Sequence, residues 1–83
     1  MELLLRKKQA AVFSFLKSRE DAYLSEIAKE TGTTYVYITN FVSFLEGKGL
    51  AEVTPQAKKK MVKLTEKGRE VSARIEALRE ALE

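Results

Sequence analysis

The sequence contains no cysteine, no histidine and no tryptophan. Without cysteine there can be no disulfide, no thiolate metal site and no thiol redox switch. Without histidine the commonest general base is missing, together with a frequent zinc ligand. No catalytic residue, metal or cofactor is therefore expected, and the reading turns away from enzymes. Proline occurs once, at Pro55, and glycine four times. The longest apolar runs are three or four residues, such as Ala10 to Phe13, whereas a membrane span needs about 20. At the N-terminus Leu3, Leu4 and Leu5 precede Arg6, Lys7 and Lys8, the reverse of the order in a secretory signal. A cytoplasmic location with no membrane partner is expected.

Charge is abundant but unevenly placed. Lys and Arg total 15 against 12 Asp and Glu, a net charge of +3. Residues 48–69 carry seven basic and two acidic groups, so this one stretch exceeds the whole net charge. A clustered basic segment points to a polyanionic partner. A solvated turn is the competing reading of Lys58-Lys59-Lys60 taken alone. With 83 residues, 45% of them apolar and 33% charged, the expectation is one domain over residues 1–83. Domains this small often gain stability by oligomerising. A single Asn, two Gln and two Met beside many Lys, Arg and Glu match the bias of thermophilic proteins.

Periodicity divides the chain into elements. Residues 2–17 read as a helix with two stripes. Leu5, Gln9, Val12, Phe13 and Leu16 form one, and Leu4, Ala11 and Phe15 form another about 100° away, which implies burial on two sides. Ser25 is the expected N-cap of a short helix from Glu26 to about Thr31, closed by Gly32 in the left-handed conformation. Thr33 or Thr34 caps the next helix, which runs to about Glu46 with Tyr35, Ile38, Phe41, Val42 and Leu45 supplying its apolar spacing. Gly47 and Gly49 stop it. Residues 50–54 and 61–64 read as a hairpin about a turn at residues 55–59. Thr65 caps a last helix reaching about Leu82, on which Val71, Ile75, Leu78 and Leu82 recur at +4, +3 and +4. Gly68 is expected to weaken its first turn by up to ~1 kcal/mol. The stripes predict a core of Val12, Phe13, Leu16, Leu24, Ile27, Ala28, Ile38, Phe41, Val42, Leu45, Leu50 and Leu64.

This order, helix-helix-helix-hairpin-helix, is mainly α with one β-hairpin. It resembles the winged helix-turn-helix family, most closely the MarR- and ArsR-like prokaryotic regulators and their archaeal relatives. Three segments carry the resemblance. Residues 24–32, LSEIAKETG, look like the positioning helix and its turn. Residues 45–50, LEGKGL, look like the junction between recognition helix and wing. Residues 64–68, LTEKG, look like the junction between wing and final helix. The resemblance implies a homodimeric transcriptional regulator, nucleoid-associated, that binds double-stranded DNA. The helix at 34–46 would enter the major groove and the basic wing at 50–65 would lie on the backbone.

On that basis Thr33, Thr34, Val36, Tyr37, Asn40 and Ser43 are the candidate groove residues. Asn40 suits adenine, and the Thr and Val methyls suit the thymine methyl. Lys58, Lys59, Lys60 and Lys63 are the candidate phosphate contacts, with Lys29, Arg6, Lys7, Lys8, Lys17 and Arg19 as possible additions. The family's pattern is broken in one respect: the presumed recognition helix has no Lys or Arg before Lys48. A dimer interface is expected from Leu4, Ala11 and Phe15 on the first helix and Ile75, Leu78 and Leu82 on the last, helix 66–83. The alternative functions are a winged helix used for protein contact inside a transcription or chromosome-organising assembly, and a low-specificity architectural DNA-binding protein.

Overall fold

A computed structural model describes residues 7–19 and 21–82. The elements are α1 (Lys7–Lys17), β1 (Ala22–Tyr23), α2 (Leu24–Thr31), α3 (Tyr35–Gly47), β2 (Ala51–Gln56), β3 (Lys59–Leu64) and α4 (Glu66–Leu82). Four helices surround a small antiparallel sheet of order β1-β3-β2. Every residue of the expected core is buried, and Ala22, Ala51, Val62 and Ile75 join it. Phe13 of α1 meets Phe41 of α3 edge to face at 6.2 Å.

Both helices of the α2–α3 pair end in the same way. Gly32 (φ +67°) lets the Thr33 N–H reach the Ala28 carbonyl and its own N–H reach that of Lys29. Gly49 (φ +75°) does the same for Leu50 with Leu45 and for itself with Glu46. These paired bonds satisfy carbonyls that a helix end leaves open, and the left-handed residue they require favours glycine. Gly47 is the last residue of α3, so Gly49 alone provides the stop. Thr34 caps α3, its Oγ1 accepting from the Tyr37 N–H at 3.0 Å.

Two expected boundaries are corrected. Leu24, not Glu26, opens α2, and Tyr23, not Ser25, is its N-cap residue. The cause is Glu26, whose Oε1 accepts the Tyr23 N–H at 3.0 Å; this carboxylate satisfies a donor at the helix start that a Ser side chain cannot reach from inside the first turn. The hairpin is also longer than expected. Pro55 pairs with Lys60 and Gln56 with Lys59, leaving only Ala57 and Lys58 in the turn. Pro55 is tolerated because β2 is an edge strand, where a missing N–H need cost no ladder bond.

The sheet also has a third strand that periodicity did not reveal: Ala22 pairs with Val62 and Tyr23 with Met61. Along β3, Val62 and Leu64 are buried and Lys63 is exposed, the alternation of a strand with one face on the core. From Thr54 to Lys60 every residue is exposed. The inner half of the hairpin is thus anchored in the core while the outer half projects.

The last helix packs on α1 through its first half. The Ser72 hydroxyl donates to the Phe13 carbonyl at 3.5 Å, and the Lys17 ammonium meets the Glu76 carboxylate at 2.7 Å. Ile75 is 5% exposed, whereas Leu78 is 37% and Leu82 73% exposed. Among the described residues, no helix is long and apolar enough to cross a membrane.

Candidate nucleic-acid interface

The side chains of α3 sort by helical angle, about 100° per residue. Ile38, Phe41, Val42 and Leu45 face the core. On the opposite arc lie Val36, Thr39, Asn40 and Ser43, with Tyr35 between that arc and Val42 in the first turn, and none of these is buried. Val36 is 68% and Tyr35 54% exposed. Tyr35 is therefore not part of the apolar stripe to which its spacing assigned it. It and Thr39 belong to the outer face. In Thr39 the hydroxyl donates to the Tyr35 carbonyl at 2.8 Å, which leaves its methyl and the acceptor side of its oxygen.

The other candidate groove residues are distributed differently. Thr34 is exposed at the helix start, with its Oγ1 engaged in the cap. Thr33 is half-buried and its hydroxyl lies 3.0 Å from that of Thr31. Tyr37 departs most from expectation. Its ring is half-buried and stacks on Phe41 at 6.2 Å, and the Lys8 ammonium sits 6.0 Å from its centroid. Tyr37 is thus turned toward α1. The spacing that separates Tyr37 from Val36 by one residue carries it about 100° around the helix, off the arc that holds Asn40 and Ser43.

Beside this face stands the hairpin tip. Lys58, Lys59, Lys60 and Lys63 are all exposed. The tip is steadied by β1, because the Tyr23 hydroxyl donates to Gln56 Oε1 at 3.4 Å and the Lys59 ammonium lies 4.8 Å from the Tyr23 ring centroid. Lys58, Lys59 and Lys60 share an open cleft with Tyr23, Leu24, Ser25 and Tyr35. The cleft joins the tip to the first turns of α2 and α3, so ammonium groups and an outward tyrosine converge at one edge of the uncharged face. Sequence spacing missed this, since the register of the hairpin decides which lysines come near Tyr35.

Two of the further cations are engaged within the chain. Lys17 pairs with Glu76, and Arg19 donates to Glu26 Oε2 at 3.1 Å. The Tyr23 N–H and, after it, the Arg19 guanidinium hold the Glu26 carboxyl below its ordinary range. Lys7, Lys8 and Lys29 are exposed, while Arg6 lies outside the described residues.

Of the expected dimer contacts, Leu4 also lies outside the described residues. Ala11 and Phe15 are half-buried, and the Arg19 guanidinium covers the Phe15 ring at 4.9 Å. Ile75 is corrected to a core residue of the single chain, because it is buried where α4 packs on α1, whereas Leu78 and Leu82 are exposed.

An uncharged helical face flanked by a lysine-tipped hairpin, after a helix-turn-helix closed by Gly32, is a complete architecture. The chain has the MarR-like winged-helix fold. No protein-family model matches it, but solved structures do. The transcriptional regulator homologue of Pyrococcus horikoshii superposes with a TM-score of 0.86 at 23% identity, over 98% of this chain and 84% of that one. The MarR family transcriptional regulator of Silicibacter pomeroyi gives 0.75 at 21% identity, over 92% of this chain and 55% of that one. The winged helix thus spans about half the length of that regulator. In sequence, the chain is 30% identical over 66 residues to the phenylalanine–tRNA ligase alpha subunit of Metallosphaera sedula, a match covering 80% of this chain and 14% of the subunit. The winged helix accordingly corresponds to a small part of that protein.

Proposed function

We propose that this winged helix binds double-stranded DNA as a homodimeric transcriptional regulator. One observation carries the reading: the outward face of α3 lies next to a hairpin tip whose Lys58, Lys59 and Lys60 open onto the same cleft as Tyr35. In this arrangement the wing lysines contact phosphates and supply affinity, while Val36, Thr39, Asn40 and Ser43 contact base edges and supply choice. Thr34, at the start of α3, stands at the groove entrance. The absence of His and Cys favours binding over catalysis. The composition fits a thermophilic source, the resemblance to archaeal regulators fits an archaeal one, and the proposed role would put the protein in the cytoplasm on the nucleoid.

Dimerisation is the second part of the reading. Leu78 and Leu82 are the exposed end of a stripe whose inner members, Val71 and Ile75, pack on the core. Burying these two leucines against a second copy, with Ala11 and Phe15 of α1 at the flank, would form a self-complementary contact. It would present two α3 helices about 34 Å apart, matching successive major grooves of a near-palindromic site. The test is selection of bound duplexes from a random pool, with a salt titration and sedimentation of the free protein. A two-fold site bound by a dimer supports the reading. Equal affinity for every duplex would instead support an architectural protein.

The likeness to a tRNA ligase subunit favours one further reading, a winged helix serving inside a larger assembly. Bulk tRNA as competitor separates the two. A regulator keeps its selected duplex, whereas an assembly module shows no duplex preference to protect.

A further inference from the structure

We infer that the outer face of α3 reads thymine methyls and adenine edges, so that the protein selects half-sites made mainly of A·T pairs. The inference rests on the DNA-binding reading above and names the sequence class that reading leaves open.

The argument begins with what this face can offer. Guanine presents two acceptors in the major groove, N7 and O6, which are read best by the forked donors of Arg or by Lys. Residues Tyr35 to Gly47 contain neither. The next cation, Lys48, follows the end of the helix and has its ammonium 5.8 Å from the Phe44 ring centroid. Glu46 is the sole charged side chain on α3 and sits in its last turn, away from the N-terminal residues that a helix-turn-helix directs at base edges.

Three of the groups that remain suit A·T pairs, and the Ser43 hydroxyl is compatible with either kind of pair. Val36 projects two methyls at 68% exposure. Thr39 has its hydroxyl proton committed to the Tyr35 carbonyl, so it cannot donate to the guanine acceptors and offers a base its methyl or a hydroxyl oxygen that accepts. Asn40, one residue further, carries the adjacent donor and acceptor that fit adenine N7 and N6. Such an apolar patch could in principle meet another protein. The three lysines that share the cleft with Tyr35 favour a polyanion instead.

The experiment uses the whole chain and its best duplex from a random-pool selection. Each thymine is replaced in turn by deoxyuridine, which pairs identically and lacks only the 5-methyl group. The expected result is an A·T-rich half-site with one or two positions where the replacement weakens binding about fourfold, as the loss of one buried methyl implies. In Val36→Ala the sensitivity at one of these positions disappears while that at any other position persists. Val36 is exposed, so the variant folds. Half-sites dominated by G·C pairs, or uniform indifference to deoxyuridine, would overturn the inference and leave DNA binding intact. Failure to bind any duplex would overturn both, and binding of a protein partner through Val36 would replace them.

Discussion

Gly68 of α4 lies directly against the Leu50 carbonyl, so closely that a Cβ at Gly68 would overlap the oxygen and also stand 3.2 Å from Leu64 Cδ2. The same carbonyl accepts the Thr65 N–H at 3.0 Å, while the Thr65 hydroxyl donates to the Gly49 carbonyl at 2.7 Å and accepts from the Gly68 N–H at 3.0 Å. One knot of backbone thus ties the end of α3, the base of the wing and the start of α4. Read as helix propensity, Gly68 is a defect; read as packing, it lets three elements meet.

Gly68→Ala is therefore expected to destabilise the fold. Alanine gains ~1 kcal/mol of helix propensity, but overpacking against backbone costs about 1–3 kcal/mol, and backbone cannot swing aside as a side chain can. Urea unfolding of both proteins measures the balance; a more stable variant would show that α4 can shift freely.

Replacing Lys58, Lys59 and Lys60 together by Ala should weaken binding to all duplexes alike. Each phosphate contact contributes roughly 0.9 to the slope of log K against log salt. The fold should be untouched, because all three are exposed on the projecting tip. An unchanged slope would identify the tip as solvated surface.

Asn40→Ala should relax choice at one or two base pairs and leave non-specific affinity alone. A bidentate pair is worth roughly 1–3 kcal/mol of discrimination. The ratio of specific to random binding is the quantity to measure, and its constancy would exclude Asn40 from readout.

Stability should fall in acid partly through Glu26. Its carboxyl is held below the ordinary range in the fold by the Tyr23 N–H and Arg19. A group with a depressed folded pKa favours the folded state above its unfolded pKa, and the contribution disappears as pH falls through the folded value. Glu26→Gln should flatten that part of the stability–pH curve. A curve of the same shape for both proteins would refute the assignment.

Leu78→Asp combined with Leu82→Asp should give folded monomers with weakened binding to a two-fold site. Leu78 is 37% and Leu82 73% exposed, so the charges fall on exposed surface. Sedimentation of the wild type as a monomer at high micromolar concentration, without DNA, would remove the basis for the dimer.

The sequence by itself determined the order of the helices and the hairpin, the left-handed stop at Gly32, a glycine stop after α3, a threonine cap at 33 or 34, the Thr65 cap and all twelve expected core positions. Each depends on local chemistry or on periodicity along one segment, and both are written within a few residues. Only the tertiary structure decided the rest. The strand at Ala22 and Tyr23 exists because β3 offers it an edge, which two residues cannot announce. Tyr35 and Tyr37 have the same residue type and near-identical surroundings in sequence, yet one faces solvent beside the wing and the other stacks on Phe41. Their separation of about 200° around α3 acquires meaning only once α1 and the hairpin fix which side is covered. Ile75 is buried and Leu82 exposed although one heptad stripe carries both, because how far along α4 the core extends is a matter of three-dimensional packing.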